Sequence, residues 1–146
     1  MLGFMSAMEI TASGLGAERV RMNTLASNLA NARTTRTDEG GPYRRLDPVF
    51  RAVSASDRLD GVTDGPASRA AYLVEVPEIR ADQTPGALVY DPSHPDANED
   101  GYVEMPNVSV VTEMVNLVTA SRAYEAGISM KDTIKSMARS AISIGT

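Results

Sequence analysis

The 146-residue sequence predicts a mainly α-helical fold with a small β-rich middle, in which two long terminal helices pair as a coiled-coil-like domain. All 8 proline residues lie between positions 33 and 106, so neither end of the chain contains this helix breaker. Apolar residues recur at heptad spacing in both ends. We therefore expect residues 1–32 and 107–146 to form one discontinuous helical domain around a central strand and loop insertion, residues 33–106.

The N-terminal helix is predicted from Phe4 to Ala32. Its apolar stripe recurs every seventh residue, with one further leucine on the neighbouring row: Met8, Leu15, Met22, Leu29 and Leu25. Gly14 and Gly16 interrupt the pattern, and each weakens a helix by about 1 kcal/mol relative to alanine. The simpler interpretation of this glycine pair is a locally soft helix, and the alternative is a close approach by a neighbouring backbone.

The C-terminal helix is predicted over residues 108–143. Its first apolar stripe alternates spacings of four and three: Val110, Met114, Leu117, Ser121, Tyr124 and Ile128. After Gly127 the phase slips, and a second stripe follows at Met130, Ile134, Met137, Ala141 and Ile144. Two helices alone cannot bury all of this apolar surface, so the pattern predicts further partners, most simply copies of the same chain.

The middle of the chain is predicted to alternate short strands with loops. Strand patterns cover residues 47–53, 71–76 and 87–90, the second being richest in β-forming residues. The loops are predicted at residues 36–41, 54–68 and 91–101, which are rich in Asp, Gly and Ser. The 54–68 loop is expected to be mobile.

Composition excludes several classes of function. The chain has no cysteine, which removes disulfides, thiol catalysis and cysteine zinc sites, and its one histidine, His94, lies in a proline-bounded loop. The net charge is −5, and residues 33–106 carry 14 acidic against 8 basic side chains, so nucleic acid is not an expected partner. No stretch approaches the length of a membrane span, and no basic-flanked signal peptide is visible, which predicts a cytoplasmic protein unless a non-standard export route carries it.

One segment resembles a metal-binding loop. Residues 96–101 match the opening of an EF-hand calcium loop, but position twelve, where a bidentate carboxylate belongs, is Asn107. The expected structure is therefore an acidic turn. We expect no catalytic residues, no metal and no cofactor.

Several motifs resemble those of the rod and hook family of bacterial flagellar axial proteins. The first is Ala-Ser-Asn-Leu-Ala-Asn-Ala at residues 26–32, and the later ones stand at residues 41–45, 101–108, 110–116 and 120–126. The resemblance covers residues 10–50 and 87–146 and is weak across 52–80. The run from Tyr90 to Tyr124 is similar to that of the proximal rod proteins of the basal body. Gly127 departs from the pattern, since the family usually has Asn there.

This resemblance implies a structural subunit, not an enzyme. Such proteins leave the cytoplasm through the flagellar export apparatus without a cleaved signal peptide, and assemble into the rod of the basal body in the periplasm. The implied partners are further copies, other rod proteins, the rod–ring adaptor and the export apparatus. No nucleic acid and no membrane insertion are implied.

The assembly interface is expected on the two apolar seams. Asn28 and Asn31 join it, since a polar residue near a helix seam can hydrogen-bond a neighbouring subunit or terminate the helix. The expected interface comprises Met8, Leu15, Met22, Leu25, Asn28, Leu29, Asn31, Val110, Met114, Leu117, Tyr124, Ile128 and Met137. Two alternatives remain: a different rod or hook component, and a small calcium-binding or hydrolytic domain that uses the acidic middle.

Overall fold

The computed structural model of the chain describes residues 2–55 and 71–144, with side chains from residue 6 onward. The elements follow in the order α1 (Leu2–Ala30), β1 (Leu46–Ser54), β2 (Tyr72–Ala81), β3 (Leu88–Tyr90), β4 (Tyr102–Glu104) and α2 (Val110–Ile144). The predicted fold class, two long terminal helices with a strand-rich middle, is confirmed. The side chain of Phe4 and the predicted mobile loop from residue 56 onward lie outside the described residues.

The strands form two separate two-stranded sheets, β1 with β2 and β3 with β4. In the first sheet, Ala55 N–H donates to the carbonyl of Ala71 (3.0 Å) and Asp82 N–H donates to the carbonyl of Arg45 (2.7 Å), so β1 and β2 run in opposite directions. Both strands contain a proline, which is tolerated because each strand of a two-stranded sheet has one open edge.

The second sheet is a short antiparallel pair. Leu88 faces Glu104, Val89 faces Val103 and Tyr90 faces Tyr102. β3 lies within the predicted strand of residues 87–90, whereas β4 is not among the predicted strands. A three-residue strand that follows an acidic turn carries too little periodicity to be recognised from sequence.

The chain groups into two compact units. Unit 1 comprises Met1–Val20, Val49–Pro77 and Ala120–Thr146, and unit 2 comprises Arg21–Pro48 and Glu78–Thr119. Each helix contributes one segment to each unit. The division into terminal helices and a central region, with boundaries near residues 33 and 106, stays a prediction.

The buried residues of unit 1 are apolar, and most of them are alanines. They are Ala17, Ala55, Leu73 and Ala120. A Cβ atom added to Gly127 would lie 2.7 Å from Cδ2 of Leu15, so the absence of a side chain lets α1 and α2 approach closely at this point. A Cβ at Gly14 or Gly16 would meet nothing within 4 Å. No other part of the described chain therefore approaches this glycine pair closely, whereas at Gly127 the Leu15 side chain does so.

Unit 2 has a more polar interior. Leu25 and Val103 are buried, and so are Thr24, Asn28 and Glu113. In the part of the chain that the structure describes, no helix combines the length and apolar character needed to cross a membrane.

Candidate functional site

Asn28 is the centre of a buried hydrogen-bond network in unit 2. It lies in the last turn of α1 and has no solvent-exposed surface. Its Oδ1 accepts hydrogen bonds from the Tyr43 hydroxyl and the Leu46 backbone N–H, both at 2.9 Å. Its Nδ2 donates to the Leu46 carbonyl and to Oε2 of Glu113, also both at 2.9 Å. The amide therefore uses two acceptor and two donor positions, and it pairs with the Leu46 peptide as a neighbouring strand would.

Glu113 links this amide to a positive charge. It lies in the first turn of α2 and is 1% exposed. Its Oε1 accepts a 2.7 Å hydrogen bond from Nε of Arg45, and Oε2 receives the bond from Asn28. The hydrogen bond to Glu113 raises the pKa of the Arg45 guanidinium above its ordinary range. A carboxylate can be buried at this position because both of its oxygens have charged or polar donors.

Asn107 extends the network toward the chain that follows β2. Its Oδ1 accepts the Arg45 backbone N–H at 2.7 Å, and its Nδ2 donates to the carbonyls of Asp82 (3.1 Å) and Thr84 (2.9 Å). Arg44 donates to the same Thr84 carbonyl and forms an ion pair with Glu104 at 3.1 Å. The motifs that stand apart in the sequence, at residues 26–32, 41–45, 101–108 and 110–116, thus meet in one network.

Asn31 has a local role. Its Nδ2 donates to the Ser27 carbonyl (3.0 Å) and its Oδ1 accepts the Thr34 hydroxyl (3.2 Å), so the side chain completes the end of α1. Of the two roles expected for this asparagine, the structure contains the helix-terminal one. In contrast, all four side-chain hydrogen bonds of Asn28 join it to groups of its own chain.

The predicted interface residues differ in exposure. On α1, Leu25 is buried, and the others are half-buried: Met8, Leu15, Met22 and Leu29. On α2, Leu117 and Tyr124 are half-buried, whereas four others are exposed: Val110, Met114, Ile128 and Met137. The most buried line of α2 instead runs through Glu113 and Ala120 and continues at the half-buried Gly127. The sequence analysis missed this line because it contains an acid and two small residues, not large apolar ones.

A second apolar stripe on the first half of α2 faces solvent. It has the i, i+3, i+4, i+7 spacing of one helix face, and its four side chains are 53% to 73% exposed: Val111, Met114, Val115 and Val118. We call it the outer stripe. Farther along the helix, Met130 and Met137 of the second predicted stripe are also more than half exposed. An apolar face of this kind indicates a contact with another protein.

Two side chains of the acidic turn, those of Asp96 and Asn98, are engaged by other groups of the chain. The Asp96 carboxylate accepts the Thr35 hydroxyl (2.7 Å) and pairs with Arg36 (2.7 Å). Oδ1 of Asn98 accepts the backbone N–H groups of Asp100 and Tyr102. Within residues 2–55 and 71–144, no three His, Asp or Glu side chains converge as a metal-ligand set.

His94 belongs to the same turn. Its Nδ1 accepts the Asp96 backbone N–H at 3.1 Å. The histidine therefore helps to hold the loop in its conformation.

Comparisons with known proteins identify the family. Residues 8–36 match the family described as "Flagella basal body rod protein", and residues 99–144 match "Flagellar basal body rod FlgEFG protein C-terminal". The chain is 40% identical to the flagellar basal-body rod protein FlgC of Borreliella burgdorferi, over 98% of each chain. It is 45% identical to FlgC of Aquifex aeolicus over 88% of this chain and 87% of that one, and 41% identical to FlgC of Bacillus subtilis over 95% and 96%.

Proposed function

The chain belongs to the FlgC family of flagellar basal-body rod proteins, a family of structural subunits and not of enzymes, and from this premise we propose that it assembles into the proximal rod through exposed faces of its terminal helices. The observation that carries the proposal is the outer stripe of α2. Its four apolar side chains stand at helical spacing, and each is more than half exposed to water in the free chain. Moving such side chains from water into contact with protein is favourable. Covering them with neighbouring subunits offers a driving force for assembly.

Within this proposal, the predicted interface residues divide into two groups. The exposed side chains contact neighbouring subunits directly: Val110, Met114, Ile128 and Met137. The half-buried residues of α1, together with Leu117 and Tyr124, contribute only their accessible edges. Leu25 and Asn28 act from inside the chain, because they hold the end of α1 against its own neighbours. Asn31 completes the end of the same helix.

The partners in this proposal are further copies of the chain, other rod proteins and the adaptor between rod and ring. The site of assembly is the periplasm, and the chain reaches it through the flagellar export apparatus without a cleaved signal peptide. Membership of the rod family supports these finer statements. A different axial component is a weaker candidate, because relatives that match nearly the whole chain bear the name FlgC.

The test is to replace Met114 by Asp in a strain whose only copy of the protein is the variant. Met114 is 55% exposed, so the free chain should fold with a loss within about 0.5 kcal/mol. A charge in the apolar contact between subunits costs several kcal/mol, so the rod should not form and the cells should not swim. Motility, a secretion blot and isolation of basal bodies provide the readouts.

The matched control places the same charge on an exposed polar position of the same helix, Ser136→Asp. These cells should swim. Normal swimming of the Met114→Asp cells, with the variant present in their basal bodies, would refute the proposed interface. The mass of the chain recovered from wild-type basal bodies tests the proposed export without cleavage.

A further inference from the structure

The β3–β4 hairpin presents an apolar and aromatic face to solvent. The strand register places Leu88, Tyr90 and Tyr102 on one side of the pair, and Val89 and Val103 on the other. Val103 is buried, whereas Leu88 and Tyr90 are each 65% exposed and Tyr102 is 42% exposed. Large, rigid tyrosine side chains are enriched at protein interfaces.

This face is held in place before any partner arrives. The two tyrosine rings pack edge to face with centroids 5.2 Å apart. Gly101 adopts a positive φ of 81°, and a Cβ added there would lie 3.0 Å from the Tyr90 ring and 3.1 Å from Pro92. Asn98 fixes the turn by accepting the Tyr102 backbone N–H at 2.8 Å. A preformed surface loses little conformational entropy on binding.

Two carboxylates precede Tyr102 closely in the sequence. Glu99 and Asp100 are exposed in the turn that leads into Tyr102, and neither carboxylate forms an ion pair with any described residue. Unit 2 as a whole is acidic, with 11 acidic against 6 basic side chains. We call this surface the tyrosine–acid face; it comprises Leu88, Tyr90, Glu99, Asp100 and Tyr102.

A surface of complementary chemistry lies on the second half of α2. Ile128 and Ile142 are 42% and 56% exposed, and three cations stand between them at steps of one helical turn. None of the three cations forms an ion pair with a described residue. The distance along the helix from the first to the last cation is about 12 Å. We call this surface the basic ridge; it comprises Ile128, Lys131, Lys135, Arg139 and Ile142.

We propose that the basic ridge of one copy of the chain docks on the tyrosine–acid face of a second copy. Lys135 and Arg139 pair with the carboxylates of Glu99 and Asp100, and the isoleucines cover the apolar edge of the hairpin. A cation that passes over a tyrosine ring gains a further attraction from the ring face. The inference rests on the proposed rod function and names one contact by which copies join.

The contact is heterologous, because the two surfaces differ. Each copy carries one of each, so a pair of bound copies still has one free ridge and one free face. Contacts of this type build rings or open helical assemblies and do not stop at a dimer. The charge pairing should also make the contact weaken as salt rises.

Disulfide trapping tests the contact directly, since the chain has no cysteine of its own. The full-length variant Asp100→Cys/Lys135→Cys is expressed as the only copy in cells, and basal bodies are isolated after mild oxidation. The proposal predicts a ladder of dimers, trimers and larger linked species. A mixture of the two single variants should give dimers only. The control pair Asp38→Cys/Lys135→Cys moves the first cysteine to another exposed acidic loop of unit 2 and should give no ladder.

Charge reversal provides a second measurement on the purified chain. Glu99→Lys/Asp100→Lys and Lys135→Glu/Arg139→Glu should each weaken self-association at low salt by about tenfold or more, as measured by sedimentation. Mixing the two variants should restore association between unlike chains. The native ridge of the first variant meets the native face of the second, and the reversed ridge of the second meets the reversed face of the first. Asp38→Lys/Glu39→Lys changes the net charge by the same amount and should have little effect.

The outcomes separate this contact from the proposed function. Wild-type and double-cysteine chains that both enter basal bodies, with no ladder, would overturn the contact and leave the rod function standing. Equal weakening by the control reversal would also overturn it, since net charge would then be the cause. If the wild-type chain is absent from basal bodies, the rod function fails and the inference fails with it.

Discussion

The two units of the chain hold their helix segments by different physical means. In unit 1, α1 and α2 meet where Gly127 lacks a side chain and the Leu15 side chain comes close, and the buried residues of the unit are one leucine and three alanines. In unit 2, the helix segments are joined through the hydrogen-bonded side chains of Asn28 and Glu113. Van der Waals contact is weakly directional, whereas a buried network tolerates only one arrangement of its donors and acceptors.

The polar network of unit 2 bears on what that unit leaves exposed. In unit 2, an amide, a carboxylate and a guanidinium supply the internal contacts, so large apolar residues of the same helix segment remain available on the outer stripe. The internal order of unit 2 therefore does not depend on the side chains of the outer stripe, which we propose to contact partners. We therefore expect substitutions in the network to lower the free energy of unfolding more than substitutions at the apolar contact of unit 1.

The largest effect is expected from Asn28→Asp. The new carboxylate would face Glu113 and the Leu46 carbonyl in a buried site, where Asn28 now donates at 2.9 Å. Breaking a buried network in this way costs about 3–5 kcal/mol in the free energy of unfolding, measured by urea denaturation. Adding Glu113→Gln should recover part of the loss, because the Gln amide can donate to the new carboxylate and the total charge of the pair is that of the wild type.

The control for this pair is Asn31→Asp, the same change three residues farther along the chain, just past the end of α1. Asn31 donates only to the neighbouring Ser27 carbonyl, so its replacement should cost about 0.5 kcal/mol, mostly from a negative charge near a helix C-terminus. If both substitutions lower the free energy of unfolding equally, the buried network stabilises unit 2 no more than a local hydrogen bond at the end of a helix does.

A smaller effect is expected at Gly127. Alanine improves helix propensity by about 1 kcal/mol, but its Cβ would meet the Leu15 side chain at 2.7 Å. Gly127→Ala should therefore stabilise the chain more in a Leu15→Ala background than in the wild type, with a coupling energy of about 1 kcal/mol. A double-mutant cycle from four urea unfolding curves measures this coupling. Strict additivity would show that the contact between α1 and α2 in unit 1 is loose.

The extent to which the sequence predicted this arrangement depended on how far apart the interacting residues stand. The helices and most strands were predictable because their periodicity is local, from the heptads of α1 to the β-forming residues of β2. The network was not predictable, since Asn28, Arg45 and Glu113 are far apart in the sequence. No local pattern indicates which of these residues form hydrogen bonds with one another. Asn28 was recognised as a site residue, but its hydrogen bonds lie inside the chain.

The buried line of α2 was misjudged for a related reason. Sequence patterns locate a core by large apolar residues, and here the line toward the interior contains Glu113 and Ala120. The large residues Val110, Met114 and Ile128 were placed on the predicted seam, and all three are exposed. Where polar and small residues form the buried line of a helix, hydrophobic periodicity indicates its exposed residues instead of its core.

The smallest expected effect is a loss of stability in acid. Hydrogen bonds from Thr84 lower the pKa of Asp82, and hydrogen bonds from Ser93 lower the pKa of Asp91, below the usual 3.8. A lowered pKa contributes stability that is present above the usual value and lost as pH falls through the lower, folded value. Both groups lie in unit 2.

Thermal unfolding followed from about pH 5 to about pH 2 measures this dependence. The Asp82→Asn/Asp91→Asn variant should show a shallower decrease than the wild type below about pH 4. An unchanged slope would mean that these two carboxylates do not contribute to the acid sensitivity of the chain. Amide exchange should show earlier loss of protection in unit 2 than in unit 1.

Accessibility of the outer stripe in the free and assembled states tests the central claim most directly. A single cysteine at Val115, in a chain that has none, is labelled with a maleimide in the purified protein and in isolated basal bodies. Because Val115 is 60% exposed, Val115→Cys should react rapidly in the free chain and be strongly protected in the rod, while Glu39→Cys reacts in both. Equal labelling of Val115→Cys in the free chain and in assembled rods would contradict the claim that this face joins the subunits.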